Sequence, residues 1–248
     1  MPVEYCVEEC IARIELNIPG RLNALNPEVV DELCCALERA IAEGVAAAII
    51  SGRGKAFCAG HDLKYDLGDI DYATDRRNVE RTQDITRLIR RAPFPVVAAV
   101  HGYAVGAGCE LALCSDLIIA AEEAVFGFPE VGVGLSITGG ISHILPITVG
   151  PAKAKELVLL GERISASEAH RLGLINFVVA GDDLARESLR LARRLAELPP
   201  HALGLAKRAL DRGPQGDLSS AFELETLHAL DTRVSAEAIE AATAFRQN

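Results

Sequence analysis

The chain lacks most of the features by which a sequence declares a partner or a reaction. It has 25 Lys and Arg against 35 Asp and Glu, a formal charge of −10, so the clustered cations of a nucleic-acid-binding surface are missing. Any anionic ligand must then be held by a local basic patch or by backbone N–H groups. Seven cysteines (Cys6, Cys10, Cys34, Cys35, Cys58, Cys109, Cys114) form no C-x-x-C pair and match no histidine spacing, which argues against zinc. No uninterrupted apolar run approaches the roughly 20 residues that cross a bilayer. The opening Met1-Pro-Val-Glu-Tyr5 has no basic segment followed by an apolar one, as a signal peptide would. There is no G-x-S-x-G elbow, no P-loop and no H-E-x-x-H, which removes the commonest hydrolase, nucleotidase and metalloprotease readings. The expectation is a cytoplasmic protein with reduced, mostly buried thiols and neither membrane nor nucleic-acid partners.

What is present suffices for a core. With 248 residues and 50% hydrophobic content, the chain can bury a full interior without disulfides or metals. The first half alternates strands and helices. Ile11 to Leu16 alternates apolar and polar like a strand. Asn26 caps a helix with Pro27 at its first position and an apolar stripe of Val30, Leu33, Cys34, Leu37 and Ile41. Residues 45–50, 95–100 and 117–120 read as buried strands, and 106–114 as a buried helix. From about Gly139 helical patterns follow one another (152–160, 166–172, 184–198, 202–210, 218–230, 236–245), interrupted by a short strand at 176–179. This division predicts one α/β domain with a helical extension. The polar tract Tyr65 to Arg77 has no clear period and reads as a loop beside the site.

Three motifs carry chemistry. Gly54-Lys-Ala-Phe-Cys-Ala-Gly60-His-Asp-Leu-Lys64 follows a buried strand, so Ala59 to Asp62 lie at a strand end, a common ligand position. A glycine before His61 lets the backbone turn with an N–H free to donate; alone, the segment also reads as a tight turn with a surface histidine. Val100-His-Gly-Tyr-Ala-Val-Gly-Ala-Gly-Cys-Glu110 runs from a strand into a helix, whose unpaired N–H groups, Ala107 among them, could meet negative charge on a ligand oxygen. Alone, it is equally a helix start with Glu110 as a first-turn acid. Ala124-Val-Phe-Gly-Phe-Pro-Glu130 places a second acid after a proline-fixed bend; its bland reading is an exposed turn. Isolated carboxylates in such apolar sequence are costly unless they have work to do.

Together, in this order and spacing, the motifs resemble the crotonase (enoyl-CoA hydratase/isomerase) superfamily, from about Val3 to Phe245. Arg21-Leu-Asn-Ala-Leu-Asn26 is family-like as well. The resemblance implies an α/β fold, a crotonase-like spiral of ββα units with a C-terminal helical trimerisation region. Residues 1–190 would form the acyl-CoA-binding core and 191–248 the helical extension, in a homotrimer or a homohexamer built as a dimer of trimers. It implies an acyl-CoA thioester as substrate and no separate cofactor. The N–H groups of His61 and Ala107 would form an oxyanion hole. Arg21, Ala59, His61, Asp62, Leu63 and Lys64 would bind substrate and CoA, Lys64 at the phosphates with Arg21 assisting, and the His61 and Ala107 N–H groups with Lys64 and Arg21 would supply the local positive field that the acidic whole lacks. Glu110 would deprotonate a water and Glu130 would protonate the α-carbon of a 2-enoyl-CoA, giving a 3-hydroxyacyl-CoA.

Within that superfamily, retention of Glu110 favours a hydratase over isomerases, which resemble members with only the second acid. The absence of Trp argues against the aryl-CoA dehalogenase branch. Other crotonase reactions (isomerisation, hydrolysis, C–C bond cleavage) stay open, as does a non-catalytic binding subunit. After Glu130 the run Val-Gly-Val-Gly-Leu-Ser-Ile-Thr-Gly-Gly-Ile-Ser-His143 departs from the common hydratase pattern, which points to a branched, cyclic or aromatic acyl group. His143 either faces the acyl pocket or is structural.

Overall fold

The computed structural model describes residues 1–65 and 70–247. Its strands are β1 (Val3–Glu8), β2 (Ile11–Leu16), β3 (Ala47–Gly52), β4 (Ala56–Cys58), β5 (Val96–Val100), β6 (Tyr103–Val105), β7 (Leu117–Ala121), β8 (Val125–Gly127), β9 (Ile164–Ser165) and β10 (Phe177–Val179). Its helices are α1 (Pro27–Glu43), α2 (Tyr72–Arg91), α3 (Ala107–Cys114), α4 (Ile141–Val149), α5 (Pro151–Leu160), α6 (Ala166–Arg171), α7 (Leu184–Ala196), α8 (Pro200–Arg212), α9 (Leu218–Arg233) and α10 (Ala236–Gln247).

The strands form two sheets, of order β1-β2-β3-β5-β7-β10 and β4-β6-β8-β9. After the antiparallel β1–β2 hairpin, β3, β5 and β7 are parallel neighbours in the larger sheet, and β4, β6 and β8 in the smaller. Each pass of the chain therefore lays one strand in each sheet and then a helix: β3-β4-α2, β5-β6-α3, β7-β8-α4. This is the expected spiral of ββα units.

The larger sheet is covered on both faces, which is why its strands read as near-continuous apolar runs. Ile14, Ile50, Ala98, Val100 and Ile118 face the main core, with Leu33 and Leu37 of α1, Leu88 and Ile89 of α2, and Phe57 and Phe126 of the smaller sheet. Ile11, Ile49, Val97 and Ile119 face the other way and are covered by Leu184 and Ala192 of α7. Each fully buried Leu, Ile or Phe contributes about 1.5–3 kcal/mol. The Asn26 cap forms as anticipated, its side chain accepting the Val29 N–H at 3.0 Å.

Three expectations change. The tract from Tyr65 to Arg77 is not all loop: α2 begins at Tyr72, where the Asp71 side chain accepts the Thr74 N–H, while residues 66–69 lie outside the described residues. Only Ile85, Leu88 and Ile89 of α2 are buried, so its first turns carry no apolar stripe to read. The thiols are all free, but Cys6, Cys10 and Cys35 are exposed and only Cys34, Cys58, Cys109 and Cys114 are buried. Beyond Gly139 the chain is helical except at two short strands, β9 as well as the anticipated β10. Among the described residues, no helix is long and apolar enough to cross a membrane.

Candidate active site

Parallel neighbouring strands end at the same edge of a sheet, and the smaller sheet uses that edge three times. His61 lies three residues past the end of β4, Ala107 two past β6, and Glu130 three past β8. Residues far apart in the chain are thereby brought side by side. The approach is close: a Cβ built on Gly60 would lie 2.7 Å from the Val105 carbonyl oxygen and 3.4 Å from the Ala107 nitrogen. A Cβ on Gly106 would lie 3.3 Å from Glu130 Oε1 and 3.7 Å from Gly60 Cα. Bulkier residues there would push the three strand ends apart.

The N–H groups at this junction are aimed rather than used. Leu25 N–H donates to Gly60 O (2.7 Å) and Asp62 N–H to Leu25 O (2.8 Å), so the His61 N–H between them points the other way, as strand alternation requires. Ala107 is the first residue of α3, where backbone N–H groups have no partner within the helix. Neither the His61 nor the Ala107 N–H donates to a protein acceptor among the described residues. They converge beside the positive end of a helix, a place for developing negative charge.

Both acids are buried, Glu110 at 3% exposure and Glu130 at 5%. Glu110 sits in the first turn of α3, all of whose residues are buried. Thr138 holds it twice: its N–H donates to Oε1 at 2.7 Å and its hydroxyl to Oε2 at 2.6 Å. Glu130, fixed behind Pro129, has no hydrogen-bond partner on either carboxyl oxygen among the described residues. Burial pushes its carboxyl up to about 7, against a downward pull from its own backbone N–H and with a further push from the Glu110 charge.

A cavity of about 500 Å³ reaches His61 and the Thr138 that holds Glu110, and is lined also by Leu25, Pro27 and Val30 of the α1 approach, Leu63 and Tyr65, Asn78, Val79 and Thr82 of α2, and Leu135. Its walls are mainly apolar, as in most small-molecule sites. Leu25 and Thr82 also border a void of about 10 Å³ against Ala107 and Glu110, close to the room one water requires. The half-buried His61 imidazole is pushed down by burial, with Glu110 pulling the other way, so it is neutral at physiological pH.

The remaining predicted positions divide. Leu63 is at the cavity wall and 67% exposed, and Lys64 is exposed beside it. Ala59 is half-buried, its N–H donating to Leu22 O. Arg21 is not an unattached cation: its guanidinium pairs with Asp62, whose Oδ1 also accepts the Lys64 N–H at 3.1 Å. Burial alone would raise Asp62, but the guanidinium and that N–H outweigh it and hold the carboxyl below its ordinary value. The local positive field expected from Arg21 is therefore largely balanced by Asp62. His143 is exposed on α4 and is not among the cavity-lining residues. Thr138, Thr82, Asn78 and Leu135 were not singled out from the sequence; only the unusual run after Glu130 signalled any of them.

Comparison with known proteins identifies relatives of the whole chain. The enoyl-CoA hydratase/isomerase family profile matches residues 7–247. The chain is 38% identical over 220 residues to the crotonyl-CoA hydratase of Syntrophomonas wolfei, covering 88% of this chain and 84% of that one. It is 35% identical over 243 residues to the 1,2-epoxyphenylacetyl-CoA isomerase of Escherichia coli, covering 96% and 93%. The crystal structure of an enoyl-CoA hydratase from Bacillus anthracis superposes with a TM-score of 0.94 at 32% identity, covering 100% of this chain and 96% of that one.

Proposed function

The chain belongs to the enoyl-CoA hydratase/isomerase family, and from that membership we propose that it hydrates a 2-enoyl-CoA to a 3-hydroxyacyl-CoA. The observation that carries the reading is the contrast between two buried acids, one held by two donors and one with none. The thioester oxygen accepts the His61 and Ala107 N–H groups, which draw electrons from the conjugated double bond. Water, deprotonated by Glu110, forms the new C–O bond at the β-carbon. The resulting enolate is stabilised by the same two donors and takes its α-proton from Glu130, whose raised affinity keeps a proton available near neutrality. Glu110 is left protonated and Glu130 ionised, so one proton must pass back between them before the next turnover. Addition of water leaves the overall oxidation state unchanged and asks for no redox cofactor.

The acyl group occupies the 500 Å³ cavity, and Ala59, Leu63 and Lys64 border the CoA, with Arg21 fixing that loop through Asp62. Residues 1–190 form the acyl-CoA-binding core and 191–248 an assembly region. Helix α9 supports the second part: none of its residues is buried, and Leu218, Phe222, Leu227 and Leu230 are exposed, a surface suited to a homotrimer or a dimer of trimers. Seven free thiols fit a reducing cytoplasm.

The test is loss of the ultraviolet enone absorbance of crotonyl-CoA and longer, branched and aromatic enoyl-CoAs with the purified protein. Binding of acyl-CoA without hydration of any member of that panel sinks the proposal. The family's joint hydratase/isomerase description makes double-bond migration the second reading. Conversion of a 3-enoyl-CoA to its 2-enoyl isomer would show it as a gain of the same absorbance.

A further inference from the structure

The run after Glu130 departs from the common hydratase pattern, and it is this run that grips the other acid. Resting on the hydratase reading above, we infer that Thr138 is the positioning residue for Glu110, fixing both carboxylate oxygens so that one remaining lone pair faces the nucleophilic water.

A glutamate carboxylate rotates easily about its last torsion. One donor restrains one oxygen; two donors from a single residue, at 2.7 and 2.6 Å on different oxygens, fix the plane as well. A carboxylate has about four acceptor positions, so two stay open after Thr138 has taken its share. The 10 Å³ void bounded by Glu110 and Ala107 offers room for such a water beside the carboxylate.

Thr138 is itself held in place. The carbonyl of the next residue, Gly139, accepts the Thr86 hydroxyl at 2.9 Å and lies 3.3 Å from the Cys114 sulfur. Thr86 belongs to α2 and Cys114 closes α3, so two helices fix one peptide. Burial pushes the Cys114 thiol up to about 12, leaving it a neutral S–H donor across the working range. Gly139 has φ +57, and a Cβ on it would lie 3.2 Å from Glu110 Oε2. The loop is thus shaped to lie directly on the carboxylate. The Thr138 side chain acts through Glu110 and is not a proton carrier in its own right.

The experiment compares Thr138→Val, which removes the hydroxyl donor but keeps shape and N–H, with Thr138→Ser, which keeps both donors. Enoyl-CoA hydration by Thr138→Val is expected to lose about 10- to 100-fold in kcat, the scale of a hydrogen bond to a charged group, with KM within about twofold. Thr138→Ser should stay within about threefold of wild type, and Thr138→Val should cost nothing further in a Glu110→Gln background. A wild type that hydrates no enoyl-CoA overturns the hydratase reading and this one together. A wild type that hydrates, with Thr138→Val matching it or Thr138→Ser falling as far as Val, overturns the role of Thr138 alone.

Discussion

Glu110 and Glu130 are both buried near the ends of the smaller sheet's strands and are treated in opposite ways there. Glu110 lies on a helix, accepts two hydrogen bonds from Thr138, and borders a water-sized void. Glu130 opens a 3-10 turn behind Pro129, is comparably buried, and accepts no hydrogen bond among the described residues. Burial without donors favours a neutral carboxyl; burial with donors lets a carboxylate persist. The Thr138 backbone and hydroxyl together thus set apart two chemically identical side chains, as the proposed division of proton transfer requires.

The strongest way to break this contrast is to remove each acid in turn. Glu110→Gln and Glu130→Gln should each lower hydration by about 100- to 10,000-fold, the usual contribution of a general acid or base, while both variants still bind acyl-CoA. Stability should separate them. In Glu110→Gln, the amide oxygen can keep the Thr138 N–H and the NH2 can donate to the Thr138 hydroxyl, so two charge-assisted hydrogen bonds become neutral ones and the thermal midpoint should fall. Glu130→Gln removes an acid that had no partner to lose.

A change of pH sharpens the contrast with no mutation. Glu130 is raised in the folded protein, from about 4.5 unfolded to about 7. Its preference for the proton therefore adds stability that is fully present below about pH 4.5 and lost as pH rises through about 7, on the order of 3 kcal/mol. Denaturant titrations of wild type and Glu130→Gln should thus diverge between those pH values, the variant gaining relative stability as pH rises. In the same direction, kcat/KM should fall about tenfold per pH unit above 7 as the acid loses its proton. A flat profile through pH 8.5 would remove Glu130 from the role of proton donor.

The smallest effect lies at the rim. Arg21→Ala breaks a half-exposed ion pair with Asp62, worth about 0–1 kcal/mol at such sites. It should raise KM for the CoA ester a few-fold with kcat unchanged, measured by initial rates at varied substrate. A large fall in kcat would mean that the loop carrying His61 depends on this pair.

Much of this was legible in the sequence. The glycine turns at Gly60 and Gly106 marked two ligand-facing bends, although the sequence reads them as following the apolar strands at 45–50 and 95–100, where β4 and β6 in fact intervene, and the long apolar runs marked the doubly covered larger sheet. The three-residue strands of the smaller sheet were not legible, because a run as short as Ala56–Cys58 or Val125–Gly127 has no period to count. The whole of α2 went unread, its first turns hidden by their charged surface, and its contribution of Asn78 and Thr82 to the cavity went with it. Thr138 could not be connected with Glu110, 28 residues away, since no local rule links a hydroxyl to a carboxylate at that separation. The pairing of Arg21 with Asp62, 41 residues on, was hidden for the same reason.

Mounting the site on strand ends also separates two kinds of inheritance. In the proposed mechanism the His61 and Ala107 N–H groups and Glu130 are placed just beyond the ends of β4, β6 and β8, whereas residues 131–136 are exposed and belong to no strand. Descendants could lengthen, shorten or recolour that outer run to suit a different acyl chain while the strand ends stay where they are. The Thr138–Gly139 peptide marks the inner limit of that freedom, the point past which a change of taste becomes a change of chemistry.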